Sequence, residues 1–448
     1  MSNIKHLKTP SQNYIAASIH RNFYFNEDLG APTLIKEYEK IEQLLTESKF
    51  VACVTIQIPQ LHKIEYEYGS GIYNDLLAKT TALVKALKEK EFREQDIFTV
   101  DLFDVDTFII FLSAPRKPET QLLDHLEPIA ERARIYLDQA VFHIFHPFTK
   151  DYARPSVGYA LVIKNPMINN IRLIMQLVAN AKKMGEFTAT KHHYQSNYNL
   201  QKIIIEQKIQ TVFQPIVALD TLDIIGYEAL SRGPKDTEFT SPLMLFTLAS
   251  EYGLSFELDT LCRKKAFERA RNLDSHIKIF INTLTMTIHD PQFRGLYLEE
   301  LMQDLKIKPE NVVFEVNEKL AIDNYDVFRR ALKDYSDIGI VHASDDIGSG
   351  FSDLERIMEL QPGYMKLDIA LIRDIHKSYI KREIVRSMTT LAISIGSHVI
   401  AEGVETAEEY RTLKEIGVHY GQGYLFGRPA DALEPVNPEF LASIAAAP

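Results

Sequence analysis

Ionisable and amide side chains stand at the ends of successive short apolar segments in the second half of the chain. In chain order they are Glu228, Asn282, Glu315, the pair Asp345 and Asp346, Lys366 and Glu402, and Gln422 precedes one further segment. A single acidic residue of this kind would be explained as a cap of the following helix, but six such segment ends are harder to explain in that way. Carboxylates that converge repel one another unless cations lie between them. An oxygen-rich cluster suits Mg²⁺ or Mn²⁺.

The adjacent pair Asp345 and Asp346 indicates a type of reaction. Neighbours in a regular strand face opposite ways, so both can reach one site only if the strand ends there, and the turn Ile347–Gly350 is predicted to end it. An Asp pair could then bridge two ions, and a two-ion site performs in-line displacement at phosphorus. Lys366 could orient water or stabilise the transferring phosphoryl group, and Arg232 could clamp a phosphate or a guanine edge. These residues predict a metal-dependent phosphoester hydrolase.

The elements that must position these residues are eight short apolar strands. They are predicted at Phe213–Val217, Ile224–Leu230, Ile277–Asn282, Val312–Val316, Ile340–Asp345, Tyr364–Leu367, Val399–Glu402 and Gly423–Phe426. Helical segments separate most of them, and Ser352–Glu355 and Thr406–Glu409 both fit the capping box that starts a helix. Eight strands with helices over about 230 residues match a (β/α)8 barrel, in which the carboxyl ends of the strands share the face where active sites are built.

The first half of the chain predicts a separate α/β domain. Strands are expected at Phe50–Ile56, Phe103–Leu112 and Val157–Ile163, and helices at Tyr73–Lys90, Glu119–Ala140 and Ile171–Met184. We therefore divide the chain into an N-terminal segment of unknown role (1–44), an α/β domain (45–190), a connector helix (191–210) and the barrel (211–448).

Composition restricts the class of protein. The 448 residues are 46% hydrophobic and 25% charged, which is ordinary for a globular protein. A net charge of −11 argues against a general DNA- or RNA-binding role, because phosphate affinity depends on basic surface. The two cysteines, Cys53 and Cys262, cannot form a disulfide framework, and no apolar stretch is long enough to cross a membrane. A cytoplasmic protein without a membrane span is expected.

Several motifs of the second half resemble the EAL-domain family. They are Phe213–Val217, Glu228-Ala-Leu230, Asp345–Gly350, Lys366-Leu-Asp368, Ala401–Thr406 and Gly421–Pro429, and together they extend over about residues 201–432. The resemblance implies a barrel with one antiparallel strand. It also implies a phosphodiesterase that uses two Mg²⁺ or Mn²⁺ ions to open cyclic di-GMP to linear pGpG.

The resemblance also implies roles for individual residues. Ligands of the first metal would be Glu228, Asn282, Glu315 and Asp345, and Asp345, Asp346 and Glu402 would serve the second metal or its water. Catalytic roles fall to Lys366, which would position the attacking water, to Glu402 as general base, and to Glu318, which would anchor the loop after the fifth strand. Substrate contacts are expected from Gln214, Leu230, Arg232, Asp368 and Gln422. The loop Asp346–Phe351 is implicated in dimer contact in the family, so a homodimer is expected.

Departures from the family pattern are small. Ile347 stands where Phe is usual, Ser349 and Asn317 replace Thr, and Gly233 follows Arg232 where Trp is common. None of these changes removes a predicted metal ligand. They bear on turnover rate and on the coupling of the loop rather than on the chemistry.

The first half is similar, more loosely, to a GGDEF domain over about residues 45–190. The segments that carry the similarity are Tyr68-Gly69, Asn74–Leu77, Ser156–Tyr159 and Ala181-Lys182. The signature itself is lost, because Asp104–Phe108 places Val105 where a glycine turn is required and Thr107 where an acid is required. We predict no cyclase activity and a regulatory role that could involve GTP. Arg93–Asp96 mimics the inhibitory site of the family at a spacing about two residues too long.

Two other functions remain open from the sequence. Some EAL domains bind cyclic di-GMP without cutting it and signal through a protein partner, but these usually lack metal ligands that this chain retains. A purely structural protein would leave the acidic strand ends without a purpose.

Overall fold

The computed structural model describes residues 23–101, 106–113, 120–149, 152–271, 273–317, 325–348 and 353–445. The chain forms two compact units, Met1–Tyr198 and Asn199–Pro448. The division lies inside the segment 191–210 that was predicted as a connector.

The first unit contains a four-stranded sheet, a two-stranded sheet of β1 and β2, and their helices. Its elements are β1 (Phe25–Asn26), β2 (Ala31–Pro32), α1 (Leu34–Ser48), β3 (Phe50–Gln57), α2 (Gln60–Tyr68), α3 (Ser70–Glu91), β4 (Ile97–Val100), β5 (Phe108–Leu112), α4 (Thr120–Phe145), β6 (Ser156–Ile163) and α5 (Asn170–Ile205). The main sheet has the order β4-β5-β3-β6, and every neighbouring pair is antiparallel.

Strand β3 explains how both faces of this sheet are covered. Alternate residues of a strand face opposite ways, so Val54 packs in one buried cluster with helices α3 and α4, and Cys53 packs in another with α1 and α5. Because both faces of β3 are covered, all residues of 51–56 are buried, and the sequence does not alternate between apolar and polar residues.

Several boundaries in this unit differ from the prediction. Strand β4 and helices α1 and α2 were not predicted, and α1 spans the predicted boundary at residue 45. The strand predicted from residue 103 begins at Phe108, and residues 102–105 lie outside the described part of the chain. The helices predicted at 171–184 and 200–209 belong to one helix, α5. The polar stretch between them has no apolar periodicity but also no proline, so nothing interrupts the helix.

The second unit contains eight strands and nine α-helices in its described residues. They are β7 (Gln210–Ala218), β8 (Ile224–Arg232), α6 (Pro242–Glu251), α7 (Ser255–Arg269), β9 (Lys278–Thr283), α8 (Gly295–Leu305), β10 (Val312–Asn317), α9 (Tyr325–Asp337), β11 (Val341–Ile347), α10 (Asp353–Leu360), β12 (Tyr364–Leu367), α11 (Ile369–Ile372), α12 (Tyr379–Ile395), β13 (His398–Ala401), α13 (Ala407–Ile416), β14 (Tyr420–Gln422) and α14 (Pro438–Ala445).

The eight strands close into a barrel in the order β10-β11-β12-β13-β14-β7-β8-β9. All pairs are parallel except those of β7, which runs antiparallel to both β8 and β14. Only a short turn joins β7 to β8, and such a turn makes a hairpin, whereas parallel strands need a crossover. The predicted eight-stranded barrel with one antiparallel strand is confirmed.

An apolar layer fills the barrel interior and fixes which residues face inward. It consists of Ile216, Phe280, Val313, Ala343, Tyr364 and Ile400, all buried. Two residues further along five of these strands stand Asn282, Glu315, Asp345, Lys366 and Glu402. Residues i and i+2 of a strand share a face, so the five polar side chains face the barrel interior above this layer.

Two strand predictions in the barrel are wrong. The eighth strand is Tyr420–Gln422 rather than 423–426; Phe426 is fully buried, but in a turn, so its hydrophobicity was misread as a strand. The fifth strand does not end at Asp345. It continues to Ile347 through a bulge, because Ser344 pairs with Met365 and Ile347 with Leu367.

One of the two predicted capping boxes is present. Thr406 Oγ1 accepts a hydrogen bond from Glu409 N (3.2 Å), and Glu409 Oε2 accepts one from Thr406 N (3.0 Å). The other, beginning at Ser352, lies outside the described residues. Among the described helices, none combines the length and the apolar character needed to cross a membrane.

Candidate active site at the carboxyl face of the barrel

The Lys366 side chain lies at the centre of a buried acidic cluster. Its ammonium Nζ is 2.6 Å from Glu402 Oε1, 3.0 Å from Glu315 Oε1, 3.1 Å from Asp345 Oδ1 and 3.6 Å from Glu228 Oε2. The lysine side chain is only 1% exposed. Four carboxylates predicted from separate strand ends are therefore gathered around one cation.

Amide side chains orient the Glu228 carboxylate. Asn282 Nδ2 donates to Glu228 Oε1 (2.7 Å), and Gln422 Nε2 donates to Glu228 Oε2 (2.6 Å). Gln422 Nε2 also lies 3.2 Å from Gln214 Oε1, and Gln214 Nε2 donates to the carbonyl of Gly427 (3.1 Å). The predicted residues of β7, β8, β9 and β14 thus form one hydrogen-bonded chain.

The cluster holds more negative charge than one lysine can balance. Burial raises the pKa of Glu402 to about 8 against the opposing effect of Lys366. Burial and the nearby Glu228 raise the pKa of Glu315 well above its usual range, and burial also raises the pKa of Asp345. The pKa of Glu228 is lowered, because Lys366 and the amide donors outweigh burial. The four carboxylates cannot all ionise easily unless further positive charge is supplied.

Two observations show that the residues present fit a divalent cation. Neither oxygen of the fully buried Glu315 carboxylate accepts a hydrogen bond from the described residues, although Oε1 forms the ion pair with Lys366. The lysine contact leaves Oε2 of this buried carboxylate without a partner among the described residues, which is costly unless a cation is present. In addition, Asp345, Asp346 and Glu402 each present an oxygen within 4.8 Å of the others.

A bulge brings the two adjacent aspartates to one side. Asp346 has φ +59°, in the left-handed region that few residues other than glycine adopt. The bulge in β11 inserts one extra residue beside β12, which breaks the strict alternation of side chains. The prediction that both aspartates reach one site agrees with this geometry, but a bulge rather than a strand end produces it.

The predicted substrate contacts occupy several positions. Leu230 and Arg232 follow Glu228 at two-residue steps along β8, and both are half-buried. Burial lowers the pKa of Arg232, against the opposing effects of Glu228 and Tyr424. Asp368 Oδ1 accepts a hydrogen bond from Ala370 N (2.7 Å) and caps helix α11, so its contact with a substrate stays a prediction. Glu318 lies outside the described residues.

A buried ion-pair network beside Asn282 was missed by the sequence analysis. Arg263, fully buried on α7, pairs with Asp259 (2.9 Å) and Asp290 (3.0 Å). Asp259 also accepts a hydrogen bond from Leu284 N (3.3 Å), two residues beyond Asn282. This network holds the segment that follows β9. The i, i+4 spacing of Asp259 and Arg263 was a possible signal, but such pairs usually lie on exposed helix faces.

The first unit has no comparable carboxylate cluster among its described residues. Thr107 Oγ1 accepts a hydrogen bond from Gln57 Nε2 (2.8 Å), and Asp106 lies 2.9 Å from His62 Nε2. Asp96 accepts hydrogen bonds from the backbone N–H groups of Arg93 (2.8 Å) and Ser113 (2.7 Å). The Asp96 carboxylate is therefore engaged inside the fold.

Comparison with known proteins assigns the second unit to a family. The model of the EAL domain matches residues 198–429. The probable cyclic di-GMP phosphodiesterase PdeB of Escherichia coli is 28% identical over 239 residues, which are 52% of this chain and 45% of that protein. The cyclic di-GMP phosphodiesterase PdeA of Borreliella burgdorferi is 30% identical over 188 residues, 41% of this chain and 28% of that protein. The chain thus spans less than half the length of these two relatives.

Solved structures share the fold. The EAL enzyme Bd1971, in its form bound to cAMP and cyclic di-GMP, aligns with a TM-score of 0.50 over 62% of this chain and 79% of that chain. At 21% sequence identity, this likeness concerns the fold alone.

Proposed function

This chain belongs to the EAL-domain family, and on that basis we propose that its second unit hydrolyses cyclic di-GMP to linear pGpG with Mg²⁺ or Mn²⁺. The observation that carries the proposal is the Lys366 ammonium among the carboxylates of Glu228, Glu315, Asp345 and Glu402, at 2.6–3.6 Å. Two relatives named as cyclic di-GMP phosphodiesterases, one of them as probable, support the choice of substrate.

The proposal gives the acidic residues a common purpose. Glu228, Asn282, Glu315 and Asp345 would hold one divalent ion, and Asp345, Asp346 and Glu402 would hold a second. When bound, such ions activate water and offset negative charge on the phosphate oxygens.

Lys366 and Glu402 would orient and deprotonate the attacking water. The surrounding carboxylates outweigh burial and raise the pKa of Lys366 well above its usual range, so it remains an ammonium and can orient the water oxygen through N–H donors. Glu402, 2.6 Å from that ammonium, would accept a proton from the water in its ionised form, which bound cations would favour over the neutral form that burial favours. The water oxygen then forms a bond to phosphorus, one P–O3′ bond breaks, and the released 3′ oxygen takes up a proton. Cyclic di-GMP and one water give pGpG.

Arg232 and Gln214 would hold the dinucleotide above this centre. The guanidinium of Arg232 suits a phosphate or the edge of a guanine. Leu230, on the same face of β8, would offer an apolar contact to a base. Two arguments support these assignments. The side chains lie on the same inward face of the barrel as Glu228, and the residues match positions of the family motifs.

The chemistry is tested by incubating the full chain with cyclic di-GMP and Mg²⁺ or Mn²⁺ and separating the nucleotides by chromatography. We expect pGpG from the wild type and none from Glu228→Ala. Absence of product, at an enzyme concentration where another family member reacts, would sink the proposal. Tight binding of unchanged cyclic di-GMP would instead favour the non-hydrolysing receptor that signals through a protein partner.

For the first unit we propose a regulatory role without cyclase activity. The bond from Gln57 to Thr107 supports it, because a hydroxyl already engaged by an amide stands where the GGDEF family has an acid. If GTP binds this unit, adding GTP should change the rate of pGpG formation. An unchanged rate over the millimolar range would count against GTP as the regulator. Homodimer formation and a cytoplasmic location likewise stay proposals, and light scattering tests the first.

A further inference from the structure

The short helix α11 lies between two turns that carry proposed metal ligands. One of them comprises the bulged end of β11 and the turn after it, with Asp346 (φ +59°) in the bulge and Gly348 (φ +102°) in the turn. The other follows β13 and contains Glu402 and Gly403 (φ +68°). A left-handed Asp346 is an unfavourable conformation that persists only where the surroundings hold it in place.

Two side chains of α11 fill the space that these glycines leave. A Cβ atom on Gly348 would lie 2.3 Å from Leu371 Cδ1, and a Cβ atom on Gly403 would lie 2.3 Å from Ile369 Cγ1 and 2.4 Å from its Cδ1. Both glycines are thus in direct contact with α11. Leu371 packs on the turn of Asp346, and Ile369 packs on the turn of Glu402.

Backbone hydrogen bonds extend the same connection. Asp368 N donates to Ile347 O (3.0 Å), which ties the start of α11 to the β11 turn. Glu402 N donates to Leu367 O (3.1 Å), which ties the other turn to the end of β12. Ile372 is fully buried in the core behind the helix, so α11 has a fixed support.

We infer that Ile369 and Leu371 are positioning residues that set the separation between the carboxylates of Asp346 and Glu402. Oxygens of these two residues and of Asp345 lie within 4.8 Å of one another, close enough for one cation. A shift of either turn would separate them. The inference rests on the proposed function in one respect only, namely that these carboxylates hold a divalent ion.

A simple packing role for Ile369 accounts poorly for its position. Ile369 is 36% exposed, so it contributes less buried apolar area to the core than the fully buried Ile372. Its contact with Gly403, next to Glu402, accounts better for the presence of a large side chain at this position.

The test is an equilibrium titration of the full chain with Mn²⁺ alone, in which the electron paramagnetic resonance signal reports the free ion. We expect Leu371→Ala and Ile369→Ala each to raise the dissociation constant of the lower-affinity Mn²⁺ site about tenfold. Substitutions of residues that orient metal ligands typically lower metal affinity by this amount. Leu371→Met, which restores the length of the side chain, should bind like the wild type. Ile372→Val, a change in the same helix directed at the core, should lower the melting temperature without changing Mn²⁺ binding.

The controls separate this inference from folding and from the proposed function. If Ile369→Ala does not fold, Ile369→Val removes Cδ1, one of the two side-chain atoms nearest to Gly403, and should weaken Mn²⁺ binding by less than tenfold. Mn²⁺ binding by folded Leu371→Ala and Ile369→Ala that equals that of the wild type would overturn the inference, as would a wild type that binds no Mn²⁺. Mn²⁺ binding without hydrolysis of cyclic di-GMP would count against the proposed function alone.

Discussion

At the scale of single residues, Lys366 organises the candidate site. It stands on β12 between strands that contribute acidic residues on both sides, and its burial leaves the carboxylates as its polar surroundings. A lysine in such a place keeps its charge because the carboxylates outweigh the cost of burial. It can therefore donate hydrogen bonds at neutral pH.

Replacing Lys366 by Met should lower the kcat of cyclic di-GMP hydrolysis about 10²–10³-fold, because a donor aimed at the reacting atoms is lost. The measurement is the rate of pGpG formation at saturating Mn²⁺ and substrate. Lys377→Met is the matched control, since that ammonium pairs with Asp374 at the surface, and it should keep the wild-type rate. Equal rates for both variants would contradict the role given to Lys366.

His342 on β11 should make folding stability depend on pH. Burial lowers its pKa from 6.5 to about 4, partly opposed by the bond of its ring to the carbonyl of Leu360. The unfolded chain therefore takes up a proton below pH 6.5 that the folded protein resists. The contribution of neutral His342 to folding stability is fully present above pH 6.5 and is lost as the pH falls towards 4.

The corresponding variant is His342→Gln, which can still donate to Leu360 but does not titrate. Between pH 7 and 4.5 the free energy of unfolding of this variant should fall by up to about 2–3 kcal/mol less than that of the wild type, at about 1.4 kcal/mol per pKa unit. Urea unfolding at both pH values measures it. His276→Gln, at an exposed position, should leave the fall unchanged.

At the scale of elements, five of the barrel strands combine a structural and a chemical position. In these five, the residue of the apolar layer comes first, and the site residue follows two positions later on the same inward face, as with Val313 and Glu315. A well-capped N-terminus of the helix that follows a strand fixes the position of the strand end before it. The capping box at Thr406, four residues beyond Glu402, caps the N-terminus of α13 in this way.

Removing this cap should therefore cost stability more than chemistry. Thr406→Ala loses the hydroxyl that accepts from Glu409 N, and we expect the free energy of unfolding to fall by about 1 kcal/mol. Urea unfolding tests this, and kcat at saturating Mn²⁺ should stay close to the wild type. Thr412→Ala, inside the same helix, is the control. A loss equally large in Thr412→Ala would contradict the capping argument.

At the scale of the whole molecule, the net charge of −11 acquires a local explanation. Part of the acidic excess is buried in the second unit around Lys366 instead of being spread over the surface. Bound cations would let an acidic protein hold a doubly negative dinucleotide. Binding of such ions to the folded state alone would also stabilise it.

Metal removal should thus lower the melting temperature of the full chain. We expect chelator-treated protein to melt earlier, and Mn²⁺ at 100 times its dissociation constant to restore about 3 kcal/mol of stability. Differential scanning calorimetry with and without Mn²⁺ measures the change. Glu315→Gln should show a smaller response to Mn²⁺, and a response as large as that of the wild type would exclude Glu315 as a ligand.

Local sequence patterns were sufficient to predict the barrel, the strand ends that carry its polar residues, and the separation of an α/β first unit. These follow from local patterns: apolar runs of strand length, capping signals, and acidic residues that recur at the ends of the runs. The same patterns predicted that Glu228, Glu315, Asp345 and Glu402 converge, because the carboxyl ends of barrel strands share one face.

The contacts that hold these residues in place could not be predicted from local patterns. Packing and not propensity produced the bulge that turns Asp345 and Asp346 to one side, the burial of Phe426 in a turn, and the contacts of Leu371 and Ile369 with two glycines. Each depends on partners distant in sequence. A left-handed aspartate or a fully buried lysine is unfavourable in a chain considered locally, and becomes stable only when the surrounding elements supply its contacts and charges.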